Sequence, residues 1–142
     1  MYRDQVEAKQ MKKPKLTLLK EKFTLHRLEA TAPIPDAVLD SPFFSVTRTP
    51  DELSIVALED LVLSGTRKEP GWSSIKVLGP LDFGLTGILA GISTVLAEEG
   101  ISIFAVSTFD TDYILVKKDS VPQAVKTLEK AGYQFSDYGQ TS

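Results

Sequence analysis

Two short segments hold the residues best suited to chemistry. Val77 to Ala90 reads VLGPLDFGLTGILA. An apolar strand-like run ends, Gly79, Pro80 and Gly84 turn the chain, and a helix-like run follows. This predicts a strand-to-helix loop over Asp82, Phe83, Gly84, Leu85, Thr86 and Gly87. The first backbone N–H groups of a helix lack internal partners and favour negative charge. Gly84 and Gly87 carry no side chain where a carboxylate could approach, although a plain tight turn satisfies the same pattern. The second segment, STFDTD, comprises Ser107, Thr108, Phe109, Asp110, Thr111 and Asp112. Its hydroxyls and carboxylates can receive an ammonium or other basic group through charge-assisted hydrogen bonds. A hairpin turn alone also calls for such residues. Their spacing does not match a calcium loop, which supplies six or more oxygens, so no metal is expected.

The rest of the composition narrows the chemistry. The chain has 142 residues, no cysteine and one histidine, His26. Thiol nucleophiles, disulfides, cysteine-ligated metals and multi-histidine sites are therefore excluded. Asp82-Phe83-Gly84 spells part of a kinase signature, but the glycine-rich and catalytic loops are missing. Gly84, Gly87 and Gly91 do not form a dinucleotide fingerprint. With no nucleophile–base pair evident, binding without catalysis and without a cofactor is the simpler reading. A net charge of −3 opposes a nucleic-acid surface. No apolar run approaches the roughly 20 residues of a membrane span. Met1 to Lys15 lacks the pattern of a signal peptide and reads as a tail, so a cytoplasmic protein is expected.

These segments need elements to position them. Leu16–Lys20 and Phe23–Leu28 read as two short strands, with Glu21 and Lys22 as a turn between them. Alternation along the second strand places His26 on a surface. A short helix follows Pro35, and Phe43–Thr47 and Leu53–Leu58 read as strands joined by Thr49–Glu52. Glu59–Trp72 reads as a linker broken by Gly65, Pro70 and Gly71. Trp72 reads as a packing anchor. From Ile75 the order is strand, helix (Leu85–Glu99), strand (Ile101–Ser107), strand (Tyr113–Val116), helix from Ser120, and a short strand at Tyr133–Phe135. Gly100 and Gly132 supply helix stops. Ser120 and Gln123 match a capping box. The order β-α-β-β-α-β is the ferredoxin-like plan, an α+β fold.

The two halves look related. FSVTRTPDELSIV (Phe44–Val56) aligns without a gap on FAVSTFDTDYILV (Phe104–Val116), at an offset of 60. The first half offers only a short helix where the second has a full one, so it reads as a degenerate copy. The expected division is a tail over 1–15, a first unit over 16–70, a second over 71–136 and a tail over 137–142.

GPLDF, GILAGIS and STFDTDYILV, within Gly71–Asp119, together resemble the ACT domain family. Within it, the resemblance is to tandem-ACT proteins related to the CASTOR-type cytosolic arginine sensors. It implies two ferredoxin-like units in tandem, with an amino acid bound at an interface between units. It implies backbone groups of Phe83–Thr86 on the ligand's α-carboxylate and polar contacts from Asp82 and the STFDTD stretch. Asp110 and Asp112 are the candidates for a cationic group. A homodimer and a protein partner that reads the bound state are also implied. An adaptor or oligomerisation module with a vestigial pocket is the alternative, and an enzyme on a ferredoxin-like scaffold a more distant one.

Overall fold

The computed structural model of the chain describes residues 13–79 and 87–136. The elements are β1 (Lys15–Leu28), α1 (Asp36–Leu39), β2 (Phe44–Arg48), β3 (Leu53–Leu58), β4 (Arg67–Val77), α2 (Ile88–Glu98), β5 (Ile103–Ser107), β6 (Asp112–Lys117), α3 (Val121–Lys130) and β7 (Gln134–Ser136). A single 3-10 turn, Lys118–Ser120, leads into α3. These elements make the expected α+β fold of two ferredoxin-like units, the first with a shortened helix. All strands join one sheet in the order β2-β3-β1-β4-β6-β5, with β7 alongside β1.

β1 and β4 run through both units. The second half of β1, Phe23–Leu28, pairs with β3, and its start, Lys15–Thr17, pairs in parallel with β7. β4 pairs with β1 on one side and β6 on the other. The start of β1 therefore lies between β4 and β7, inside the second unit. The expected hairpin at Glu21–Lys22 does not form. Register between β1 and β4 shifts between Leu18 and Lys22, so the charged residues there fall in a bulge of one continuous strand. The expected linker over Glu59–Trp72 is also corrected, because β4 begins at Arg67. Pro70 and Gly71 sit where register shifts again, between the pairs Leu25↔Glu69 and Phe23↔Trp72. Gly71 has φ +81°, which a glycine adopts without strain, and Pro70 needs no ladder donor at a bulge.

Each unit has its own core on the helix side of the sheet. Val38, Leu53, Ile55, Ala57 and Leu63 form the first. Leu16, Ile75, Val77, Ile92, Leu96, Ile114 and Leu128 anchor the larger second one. Phe23, Val56, Trp72 and Leu115 make a third cluster on the opposite face, shared by both units. Phe43 links the units there, its ring 4.9 Å from Phe23 and 5.2 Å from Tyr113. Trp72 thus is a packing anchor, as its size suggests. The sheet bends enough that its edge strands β2 and β5 line one groove.

Two local expectations change. His26 is buried, not on a surface, because β1 is covered on both faces. Its Nδ1 lies 3.0 Å from Thr66 Oγ1. Burial, and then the nearby Lys68 charge, lower its pKa from the ordinary 6.5. The unfolded chain therefore takes up a proton that the native one refuses. Stability is expected to be full above about pH 6.5 and to fall as the pH drops below it. Denaturant midpoints should move down between pH 7.5 and 5.5, and His26→Gln should flatten that slope. The second change concerns Ser120, which precedes α3 without a side-chain capping bond. Its φ of −91° and ψ of −5° are near-helical, whereas a capping residue needs extended geometry to turn its oxygen back.

Candidate functional site

The β5–β6 hairpin positions the STFDTD stretch. Ser107 and Asp112 are its closing pair, and Ser107 Oγ donates to Asp112 Oδ1 at 2.6 Å. The turn between them is tied by Thr108. Its N–H donates to the Thr111 carbonyl at 2.8 Å, and its Oγ1 accepts the Thr111 N–H at 3.2 Å. Phe109 and Asp110 stand at the exposed tip. Side chains two apart on a strand share a face, so Asp112 lies on the side of Ile114, which packs in the α2-bearing core. Asp112 is half-buried, Ser107 exposed.

Thr111 has a different position from the rest. It is 5% exposed, and its Oγ1 donates to the Val77 carbonyl at the end of β4. It fastens the hairpin to the strand that leads into the β4–α2 loop. Thr111→Val keeps the shape but leaves that buried carbonyl without its hydroxyl donor. A loss of about 1–3 kcal/mol in unfolding free energy is expected by denaturant titration, with Thr111→Ser close to wild type.

On the helix side, Gly87 is the residue before α2, at φ +82°. The first hydrogen bond of the helix runs from Gly91 N–H to the Gly87 carbonyl at 2.8 Å, so the N–H groups before Gly91 lack partners within the helix. Gly91 serves packing, in line with the glycine spacing. A methyl there would come within 3.0 Å of the Tyr133 hydroxyl, which is buried. Of the expected site residues, Ser107, Thr108, Thr111 and Asp112 come together, at the end of the sheet where β4 finishes. Asp82, Phe83, Gly84, Leu85 and Thr86 lie outside the described residues. Among the described residues no cluster of potential metal ligands occurs, and no helix is long and apolar enough to cross a membrane.

The first unit carries a matching hairpin. Thr49 N–H donates to the Glu52 carbonyl at 2.9 Å, and Thr49 Oγ1 accepts the Glu52 N–H at 3.1 Å. The closing pair Arg48↔Leu53 corresponds to Ser107↔Asp112, an offset of 59 rather than 60. The internal repeat stands, but its register is corrected by one residue. Sequence reasoning missed Arg48 as the counterpart of Ser107. The shared threonine at the start of each turn, Thr49 and Thr108, was the available signal.

The ACT domain family model matches residues 67–130, and a model of an N-terminal domain matches residues 21–64. Among curated relatives, the orangutan (Pongo abelii) cytosolic arginine sensor for mTORC1 subunit 1 is 29% identical over 127 residues, which cover 80% of this chain and 37% of that protein. Its human counterpart is 35% identical over 72 residues, covering 50% of this chain and 22% of that one. The chain thus spans well under two thirds of the length of these relatives. Among solved structures, protein Atu0741 from Agrobacterium tumefaciens is 39% identical with a TM-score of 0.81, covering 88% of this chain and 93% of that one. The regulatory subunit of aspartate kinase from Thermus thermophilus is 11% identical with a TM-score of 0.62, covering 85% and 99%, and supports the fold alone. Two ferredoxin-like units stand on shared strands, and the second carries an ACT domain over residues 67–130; the chain is similar to the CASTOR-type cytosolic arginine sensors.

Proposed function

We propose that this chain is a regulatory sensor that binds a free amino acid, with a basic side chain preferred, and performs no catalysis. The observation that carries the reading is the Asp112 carboxylate. Ser107 holds it at 2.6 Å, on the helix side of the sheet, at the end where β4 leads toward α2. A carboxylate so oriented suits a cation, and a helix N-terminus suits a carboxylate. An amino acid with a basic side chain carries both charges. The names of the curated relatives, arginine sensors, agree with this preference. In this reading backbone groups of Phe83–Thr86 hold the ligand's carboxylate, Asp82 adds a polar contact, and Ser107, Thr108 and Asp112 take its cation. Asp110 at the exposed tip of the turn contributes charge rather than a held contact.

The ligand lies between ACT units, with a second copy of the chain completing the site in a cytoplasmic homodimer. A protein partner reads the bound state, because ligand binding favours one arrangement of the units over another. A thermal-shift screen of the intact chain against the common amino acids tests the reading. A ligand at about 100 times its Kd adds about 2.7 kcal/mol, which raises the melting temperature by roughly 5–11 °C for a chain of this size. A selective rise with arginine or lysine is the expected result. No rise with any amino acid would leave the adaptor module as the better description.

A further inference from the structure

β1 and β4 place like charges side by side, at the opposite end of β4 from the proposed amino-acid site. Arg27 and Arg67 are partners in their antiparallel register, as are His26 and Lys68. Residues directly opposite on neighbouring strands share a face, and like charges there repel. On its other side Arg27 pairs with Ser54 of β3. Arg27, Arg67, Lys68 and Ser54 line a cavity of about 180 Å³, and Glu52 and Glu69 line it too. These carboxylates do not neutralise the arginines. Among the described residues neither guanidinium forms an ion pair, and Glu69 is drawn instead to Lys117 Nζ at 3.3 Å. Arg27 Nη2 donates to the Asp51 carbonyl at 3.0 Å, which anchors the group and uses only part of its donor fork. Lys68 is, after burial, a cause of the lowered pKa of His26, so the local potential is positive. This occurs in a chain whose net charge is −3.

We propose that this cavity binds an oxyanion of the phosphate type, free or as the terminal group of a small molecule, bridged between the guanidinium groups of Arg27 and Arg67. Each guanidinium presents paired N–H donors that match two oxygens of a tetrahedral anion. The Cβ atoms of directly opposed strand residues lie about 4.5–5.5 Å apart, so both side chains can converge on one ion. The anion turns the repulsion of the pair into a shared attraction, and Lys68 adds charge at the cavity wall. Glu52 forms no ion pair among the described residues and opposes the anion, which lowers its affinity. The site is independent of the proposed amino-acid site.

The experiment uses the full chain in a chloride buffer of constant ionic strength, with inorganic phosphate as the probe. The melting temperature should rise and saturate at millimolar phosphate. The ring resonances of His26, the one histidine of the chain, should shift with the same saturation. Arg67→Gln relieves the like-charge pair, so without phosphate it should melt at or above the wild-type temperature. It should nevertheless lose phosphate affinity by about tenfold or more, the scale of a hydrogen bond to a charged group. Glu52→Gln should tighten phosphate binding by up to about fivefold, a surface-scale charge effect. Methyl phosphate separates the two sources: binding as tight as that of phosphate assigns an esterified group, and markedly weaker binding assigns the free ion. Phosphate that stabilises the wild type and Arg67→Gln alike acts by exclusion from the protein surface and overturns the proposal. An Arg67→Gln protein that melts below the wild type without phosphate also overturns it, because Arg67 is then satisfied within the protein. So do His26 resonances that stay still while the melting temperature rises.

Discussion

Asp112→Asn is expected to weaken binding of L-arginine by about 10–100-fold, the scale of one charge-assisted hydrogen bond. The substitution keeps the size of the side chain. Asn can still accept from Ser107 Oγ, which bonds to Asp112 Oδ1 in the native hairpin. What it loses is the negative charge in a half-buried position, where Coulombic attraction is stronger than in bulk water. L-citrulline has nearly the shape of arginine and no charge on its side chain. It should lose less than about threefold, a surface-scale change. Titration calorimetry with both ligands on both proteins gives the comparison. Equal losses for the two ligands would remove the charge role assigned to Asp112 and leave only a packing role.

The second large effect concerns the shared strands. A fragment of residues 71–136 is expected to be unfolded, although it includes every helix and hairpin strand of the second unit. It lacks the start of β1, which lies between β4 and β7 and supplies Leu16 to the core. Without it, β7 has no partner strand and β4 loses one edge. In the full chain, Leu16→Ala should cost about 2–5 kcal/mol, because Leu16 is fully buried in a core cluster that also draws on β4, α2, β6 and α3. Far-UV circular dichroism of the fragment and denaturant titration of the variant test the two statements. A folded, cooperative fragment would show that β1 is an accessory to the second unit and not part of it.

Much of the second unit could be read from the chain. Apolar spacing marked α2 and α3, glycines marked their ends, and the β5–β6 hairpin announced itself by alternation around a polar turn. β1 was harder. A charged pair between two apolar runs looks like a turn, yet the same pair can occupy a bulge when a long partner strand continues past it. β4 was harder for the same reason, since Pro70 and Gly71 break a regular ladder but fit a register shift. The alternation that placed His26 outward assumed that one face of its strand meets water. Both faces are covered here, by the first core and by the cluster around Phe23 and Trp72.

The repeat shows how far periodicity can carry an alignment. Strand side chains alternate with period two, and β-branched residues fill both faces of a buried strand. An offset of 60 then looks as good as 59, while only the second matches Thr49 with Thr108 and the buried run Ile55–Ala57 with Ile114–Val116. At the candidate site, residue types pointed to Ser107 and Asp112 correctly as neighbours. They could not separate Thr111, whose hydroxyl is spent on the Val77 carbonyl, from the residues open to a ligand.

The most direct test of the sensor reading is equilibrium dialysis of the intact chain against labelled L-arginine, with each of the common amino acids as unlabelled competitor. Saturable binding, displaced by lysine more effectively than by neutral amino acids, is predicted. No saturable binding of arginine, and none of any competitor tested in its place, would contradict amino-acid sensing by this chain.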